Sequence, residues 1–251
     1  MKNHLKSLLW LPILMLAVFG CRSCDTIDSS KLDPSEVYSE YWINASGTAT
    51  EVNATFRVSG STGTTIALVE PSKVEYNGKP MTPHLRTPLG GSFYSASSDS
   101  FVGSNIFVLT DSAGREHRAS ADFAPIGITA DTSEVSRSKG FEIRLSRPLA
   151  ANERLSLKLI SDTPPPISDT GNSANAQQQP QIDTSIDIDD QPATGSISVT
   201  VNANTLAKFA VGKAQLSAEV SSTASLPAET VKGGTINYRI TSETIRLNVI
   251  K

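Results

Sequence analysis

The sequence predicts an all-β protein with two antiparallel β-sandwiches. The first reason is strict alternation of apolar and polar residues, as between Val52 and Val58, where every second side chain would face a core. The second is turn chemistry between such runs, of which Asn77-Gly78 is the strongest two-residue hairpin signal. The third is spacing, because about six strands within roughly 90 residues, with a turn about every 8 to 15 residues, are typical of a sandwich.

The first 20 residues have the layout of a secretory signal peptide. Lys2 and Lys6 form a basic head, and residues 8–19 form an apolar run before Gly20 and Cys21. A run of about twelve apolar residues falls short of the roughly 20 that cross a bilayer as a helix. We therefore predict that residues 1–20 are removed, and not retained as a membrane span.

The residues at the predicted cleavage point, Val18-Phe19-Gly20-Cys21, resemble the lipobox of bacterial lipoproteins. The resemblance implies that the Cys21 thiol is acylated and that Cys21 becomes the mature N-terminus. Each buried methylene would contribute about 0.8 kcal/mol, so the acyl chains would anchor the protein permanently in a membrane. The resemblance also implies a bacterial cell envelope, and Arg22 after Cys21 implies the outer membrane. The open alternative is a secreted protein in which Cys21 and Cys24 are incidental.

We predict a short tether, two sandwiches and one long loop after the signal peptide. Residues 21–35 hold the lipidated Cys21 and a polar, flexible tether, and residues 36–125 form the N-terminal β-sandwich. The C-terminal β-sandwich covers residues 126–251, because the strand pattern restarts after Pro125. Within it, residues 163–194 are rich in Pro, Gln, Asn, Ser and Asp, and this composition predicts a disordered loop.

Two strand pairings are predicted within the C-terminal sandwich. The alternating runs 141–145 and 155–159 would form a hairpin-like unit, and residues 235–240 and 243–249 would pair across a turn at Thr241-Ser242. A helical turn is expected within residues 204–211. Such tandem sandwiches resemble the immunoglobulin-like domains of bacterial surface and periplasmic proteins, which implies an architecture but no function.

The charge balance argues against nucleic acid as a partner. The chain has 22 Lys and Arg against 25 Asp and Glu, and removal of a signal peptide containing Lys2 and Lys6 leaves 20 basic residues and a net charge near −5. Nucleic-acid binding needs clustered Lys and Arg that displace counterions from phosphates. With Cys21 acylated, Cys24 has no intrachain partner, so no disulfide is expected.

No catalytic, cofactor-binding or metal-binding residue is predicted. His84 and His117 lack the further ligands of a zinc site, and the sequence has no Gly-x-Ser-x-Gly elbow. The turn at residues 59–63 lacks the Gly-Lys-Ser/Thr ending of a phosphate loop. An acidic cluster lacks the residue pattern of a calcium loop and is expected to be solvated. Its members are Asp183, Asp187, Asp189 and Asp190.

Three functions are compatible with this sequence. The leading hypothesis is a non-enzymatic, membrane-tethered binding or structural protein that contacts an envelope protein or a glycan. The run Tyr38, Tyr41 and Trp42 bears on it, because these aromatic residues would form either an exposed recognition patch or part of a core. One alternative is an accessory lipoprotein subunit of a secretion or pilus apparatus that offers a strand edge. The other is an envelope hydrolase that uses paired acids, drawn from Glu70, Glu75, Asp99 and Asp111.

Overall fold

The computed structural model describes residues 26–85, 91–162, 185–188, 195–227 and 232–251. The predicted signal peptide, Cys21 and Cys24 lie outside these residues. Within them the secondary structure is almost entirely β-strand, with one four-residue α-helix, so the prediction of an all-β sandwich fold is confirmed. No helix among the described residues is long and apolar enough to cross a membrane.

The N-terminal part contains ten strands, preceded or interrupted by short 3-10 turns at Ser29–Lys31 and Pro34–Glu36. The strands are β1 (Thr26–Asp28), β2 (Val37–Ala45), β3 (Thr50–Val58), β4 (Thr65–Ala67), β5 (Lys73–Tyr76), β6 (Lys79–Pro80), β7 (Thr82–His84), β8 (Phe93–Ser98), β9 (Ser104–Thr110) and β10 (Glu116–Asp122).

Two sheets enclose the N-terminal core. In one sheet β3 pairs with β2 along its whole length and with β8 and β4 on its other edge. The other sheet has the order β10-β9-β5-β6. Tyr41 stacks on Phe107 across the sandwich with ring centroids 4.4 Å apart, and Phe56 meets the edge of the Tyr41 ring. These aromatic contacts bury large side chains from both sheets, which stabilises the sandwich.

The predicted hairpin at Asn77-Gly78 is present, and a second hairpin joins β9 to β10. Asn77 and Gly78 both have positive φ angles, 47° and 75°, and they join β5 to β6. Such a turn follows the twist of the two strands. Residues 111–115 join β9 to β10, which pair over seven residues.

The C-terminal part contains nine strands and the short helix α1 (Ala203–Leu206), which lies at the start of the expected helical turn. The strands are β11 (Ile128–Ala130), β12 (Glu134–Ser136), β13 (Phe141–Leu145), β14 (Arg154–Ser161), β15 (Ser185–Ile188), β16 (Ser198–Val201), β17 (Gly212–Leu226), β18 (Gly234–Thr241) and β19 (Ile245–Ile250).

The predicted hairpin between β13 and β14 is wrong. β13 pairs with β11 and β16 in a three-stranded sheet, whereas β14 pairs with β15 and β17 in the large sheet. Both strands bury their apolar faces in the same core from opposite sides, as Ile143 and Leu157 illustrate with no exposed surface. Alternation reports which face is buried, but it does not identify the partner strand.

The predicted turn at Thr241-Ser242 is also wrong. β18 and β19 do not pair with each other, because both lie along one edge of the 15-residue strand β17. Thr241 is opposite Glu219 and Ile245 is opposite Leu216. The three residues 242–244 therefore lie opposite only two residues of β17, 217 and 218. This is a β-bulge that lets one extended segment continue past an irregular point.

The shared ribbon of β17, β18 and β19 connects the two cores. β18 pairs in parallel with β2, and β19 pairs in parallel with β12, so one twelve-stranded sheet runs behind both cores. β18 places Ile236 in the N-terminal core and Ile240 in the C-terminal core. The sequence left open whether the sandwiches are fused or separate, and here they share a sheet.

A buried ion pair lies where the two cores meet. Arg147 donates two hydrogen bonds to Glu153, at 2.7 and 2.8 Å, and the Tyr238 hydroxyl donates to the same carboxylate at 3.0 Å. The Tyr238 ring stacks on Phe123, with centroids 4.8 Å apart. Burial opposes ionisation of Glu153, but its hydrogen bonds outweigh this effect and lower its pKa.

Two segments are more ordered than their composition suggests. The predicted tether over residues 21–35 includes β1, which pairs in parallel with β4. The predicted loop over residues 163–194 includes β15, which pairs with β14 and buries Ile188. In both cases three or four residues pair with an existing strand edge, and such short segments carry little periodicity in the sequence. Residues 163–184 and 189–194 lie outside the described residues.

Candidate functional site

The outer face of the N-terminal sheet carries the one strongly exposed aromatic side chain of β2. Alternation along β2 sends Tyr41 and Ile43 into the core and turns Glu40, Trp42 and Asn44 outward. Tyr41 is only 2% exposed, whereas Trp42 is 43% exposed. Tyr41 is therefore part of the core, whereas Trp42 is exposed, and a recognition role for Trp42 stays a prediction.

The strand register aligns a row of polar side chains with Trp42. Trp42 is opposite Asn53 on β3, Asn53 is opposite Ser95 on β8, and Ser95 is opposite Thr82 on β7. Directly paired residues share a face, so all four side chains stand on the outer surface. Three strand spacings of about 4.8 Å give the row a length of about 14 Å.

The indole of Trp42 is held by its own strand. Its Nε1 donates to Glu40 Oε1 at 3.1 Å, and Glu40 Oε2 lies 3.7 Å from Arg57 Nε. On the other side of Trp42, Asn237 is 7% exposed and bonds to Thr223 Oγ1, which donates at 2.7 Å. The Nε1 group of the indole therefore has a hydrogen-bond partner, and the exposed part of the ring lies on the outer surface of a regular sheet.

A cleft of about 740 Å³ opens at the other end of this row. It is lined by residues of β3, β7 and β8 and of the hairpin of β5 and β6. Asn53, Ser95 and Thr82 belong to both the row and the cleft lining. We call Trp42, Asn53, Ser95, Thr82 and this cleft the Trp42 surface.

The Trp42 surface is polar and nearly neutral. The cleft lining includes one acidic and one basic side chain, Glu51 and Lys79. The nearby charges are paired, since Arg57 lies against Glu40, and Arg239 Nε is 3.1 Å from Glu219 Oε1. Amide and hydroxyl groups supply both donors and acceptors. Such a surface suits an uncharged ligand with many hydroxyl groups.

The sequence pointed to the run of Tyr38, Tyr41 and Trp42 without deciding between a surface patch and a core, and the other members of the row were missed. Asn53, Ser95 and Thr82 are ordinary outward residues of alternating strands, and their alignment depends on a register between distant strands. The prediction from the sequence did not separate the exposed Trp42 from the buried Tyr41.

The four acids of the hydrolase hypothesis do not form a facing pair in this structure. Asp99 follows β8 at the end of the sandwich near Thr50, whereas Asp111 follows β9 at the opposite end. Glu70 is exposed in a turn, and Glu75 Oε1 binds Lys73 Nζ at 3.0 Å.

Asp111 is buried and fully occupied by neighbours. Its Oδ2 lies 2.8 Å from His117 Nε2 and accepts from Arg115 Nε at 2.9 Å, and its Oδ1 accepts from the backbone N–H groups of Ala113 and Arg115. Burial favours the neutral carboxyl, but these hydrogen bonds together outweigh it and lower the pKa of Asp111 to about 2. Asp111 therefore fixes the turn between β9 and β10.

His84 and His117 lie in different places. His84 Nε2 is 2.8 Å from Ser95 Oγ, and the His84 ring stacks on Phe93. His117 binds Asp111 on the inner side of β10. Of the acidic cluster, Asp187 lies on β15 and the other members lie outside the described residues. Among the residues that the structure describes, no group of three or more His, Cys, Asp or Glu could hold a metal ion.

Comparisons with known proteins identify no family. No family model and no curated protein matches the chain. Among solved structures, murine CEACAM1b has 13% identity and a TM-score of 0.25, and the match covers 86% of this chain and 100% of that one. The Yersinia pseudotuberculosis adhesin InvE has 16% identity and a TM-score of 0.20, over 84% of this chain and 60% of that one. A structure from a 1.5-MDa bacterial ice-binding adhesin has 15% identity and a TM-score of 0.20, over 87% of this chain and 66% of that one. Similarity at this level does not extend to a ligand or a partner.

Proposed function

We propose that this protein is a lipid-anchored, non-enzymatic binding module of the bacterial cell envelope. Acyl chains on Cys21 hold it in the outer membrane, and the Trp42 surface binds a neutral glycan. The observation that carries the binding proposal is the half-exposed indole of Trp42, held by Glu40 in line with a row of polar side chains and a cleft.

The chemistry of the Trp42 surface favours a glycan. An aromatic ring offers a flat apolar face to the C–H side of a sugar ring, while amide and hydroxyl groups bind sugar hydroxyls. A row of about 14 Å accommodates a short oligosaccharide lying across the strands. The buried centre of a stable protein–protein interface is more apolar than the rest of a protein surface. Within strands β2, β3, β7 and β8, Trp42 is the one strongly exposed large apolar side chain.

The binding proposal is tested on an array of neutral oligosaccharides of glucose, galactose and N-acetylglucosamine, followed by titration calorimetry with any glycan retained. We expect Trp42→Ala to weaken binding by about tenfold or more, which is about 1.4 kcal/mol. Trp42→Phe keeps an aromatic face and should lose less. Arg239→Ala, on the same outer face, is the matched control. Unchanged affinity in Trp42→Ala, or no retained glycan, would contradict the proposal.

The anchoring proposal is tested separately by intact mass. Protein extracted from membranes should carry the mass of the acyl groups, and the Cys21→Ala variant should lack it and leave the membrane fraction. An unmodified mass for the extracted wild-type protein would contradict lipidation.

The apparatus-subunit alternative needs a strand edge that accepts a partner. In the described part of the chain, β10 pairs only with β9 and is seven residues long. Its exposed side chains include Glu116, Arg118 and Asp122. Charged residues along an edge strand oppose pairing with another chain. The edge of β10 therefore argues against the apparatus-subunit alternative.

A further inference from the structure

The described chain is attached to its fold from Thr26 onward. β1 pairs in parallel with β4, and Thr26 Oγ1 lies 3.2 Å from Thr65 Oγ1. Ser29, which is 5% exposed, accepts from Val69 N–H at 3.0 Å through its Oγ. The side chain of Leu32 packs against the N-terminal core. These contacts tie the start of the described chain to the sandwich.

The register places Thr26 at one end of the molecule. Thr26 is level with Thr65, which is opposite Arg57, and Val58 is opposite Val37 at the start of β2. The loop of residues 59–64 closes this end. We call this end, with Thr26 and residues 59–64, the N-terminal end face.

The C-terminal core lies away from the N-terminal end face. β18 runs parallel to β2, from Gly234 beside Ser39 to Ile240 beside Ala45, and β19 continues in the same direction. The segment from Gly234 to Ile250 has a length of about 50 Å at about 3.3 Å per residue. Ser136, at the end of β12, is level with Ile250.

Four residues separate Cys21 from Thr26. Five extended steps of about 3.6 Å reach about 18 Å at most. An anchor on Cys21 can therefore lie only a short distance from the N-terminal end face, whereas the far end of β19 is beyond its reach. Residues 59–64 are Ser, Gly and Thr without a charged side chain, and the exposed Glu36 lies beside this loop, since its carbonyl accepts from the Ser59 N–H at 2.8 Å.

We infer that the N-terminal end face is a membrane-contact surface, against which lipid headgroups lie, and that the C-terminal core points away from the membrane. This inference rests on the proposed lipidation of Cys21. In this inference β1, paired with β4, is a short rigid connection that sets the orientation of the whole protein, and not part of a flexible tether.

The test measures the distance of two positions from the headgroups. A fluorophore is attached to p-azidophenylalanine in place of either Ser61, in the end face, or Lys139, beyond β12, in a Cys24→Ser background. The acylated protein is placed in vesicles of phosphatidylethanolamine and phosphatidylglycerol with a headgroup-nitroxide lipid. We expect several-fold stronger quenching at position 61 than at position 139. Equal quenching would overturn the inference.

Two further arms separate orientation from lipidation. In one, the unacylated mature chain is coupled through the Cys21 thiol to a maleimide lipid, which supplies the anchor chemically. A difference between positions 61 and 139 here supports the orientation even where intact mass shows no native acylation.

In the other experiment, 20 Gly and Ser residues inserted before Asp25 add about 25 Å of flexible chain. This insertion should abolish the difference in quenching between the two positions. A difference that remains would show that the short connection through β1 does not set the orientation.

Discussion

Ser242 takes the place of a backbone acceptor opposite Ala218. Its Oγ accepts the Ala218 N–H at 2.9 Å, while its own N–H donates to the Ala218 carbonyl at 2.8 Å. The Ser242 hydroxyl in turn donates to the Glu243 carbonyl at 2.8 Å. One side chain thus keeps the hydrogen bonds of β17 satisfied through the bulge between β18 and β19.

Replacing Ser242 by Ala should destabilise the protein. The buried N–H of Ala218 would lose its acceptor, which costs about 1–3 kcal/mol in the free energy of unfolding. Urea unfolding followed by circular dichroism measures this loss. Ser138→Ala, in an exposed turn, serves as the control and should change stability by less than about 0.5 kcal/mol. Equal stability of Ser242→Ala and the wild type would show that water supplies the missing bond.

Gly234 permits the close approach of β18 to β2. A Cβ at this position would lie 2.0 Å from the Ser39 carbonyl oxygen, which is backbone and cannot rotate away. Gly234→Ala should therefore push the two strands apart and cost about 1–3 kcal/mol or more. At Gly47 a Cβ would lie 3.4 Å from the flexible Glu243 side chain, so Gly47→Ala should have little effect. Similar unfolding midpoints for the two variants would contradict this account of the shared sheet.

The Glu153 carboxylate should stabilise the junction between the cores. Glu153→Gln leaves Arg147, whose side chain is 20% exposed, without its charged partner. Breaking a buried ion pair from one side costs up to about 3–5 kcal/mol, and the partial exposure of Arg147 reduces the expected loss to about 2–3 kcal/mol. Glu142→Gln, at an exposed carboxylate on β13, is the control, and denaturant titration of both variants gives the comparison. A loss no larger than that of the control would refute this role.

Acid should remove the stabilisation that Asp111 provides. Its folded-state pKa is lowered from 3.8 to about 2, so its contribution is present above pH 3.8 and declines as the pH falls toward 2. The shift corresponds to about 2 kcal/mol. The difference in the free energy of unfolding between the wild type and Asp111→Asn should therefore shrink between pH 6 and pH 2.5.

Asp122→Asn, at an exposed position on β10, controls for general acid effects on unfolding. An Asp111→Asn difference that stays constant across this pH range would show that the ionised carboxylate is not the stabilising form.

Local sequence features predicted the elements of this fold better than their partners. Strict alternation located the buried face of β3, and Asn77-Gly78 located a hairpin, because both signals depend on adjacent residues. The parallel pairing of β2 with β18 joins segments from opposite ends of the chain and has no local signal. The same limit explains the wrong hairpins. It also explains why the alignment of Trp42 with Asn53 and Ser95 was not predicted.

The parallel docking of β1 on β4 has a mechanical consequence. Tension on the residues before Thr26 pulls β1 along its own axis, so its hydrogen bonds to β4 are loaded together in shear and not opened one at a time. The load then passes through β3 and β2 to β18 by backbone hydrogen bonds, which continue into the ribbon behind the second core. A pull on the chain before Thr26 is therefore carried across both cores by one continuous sheet.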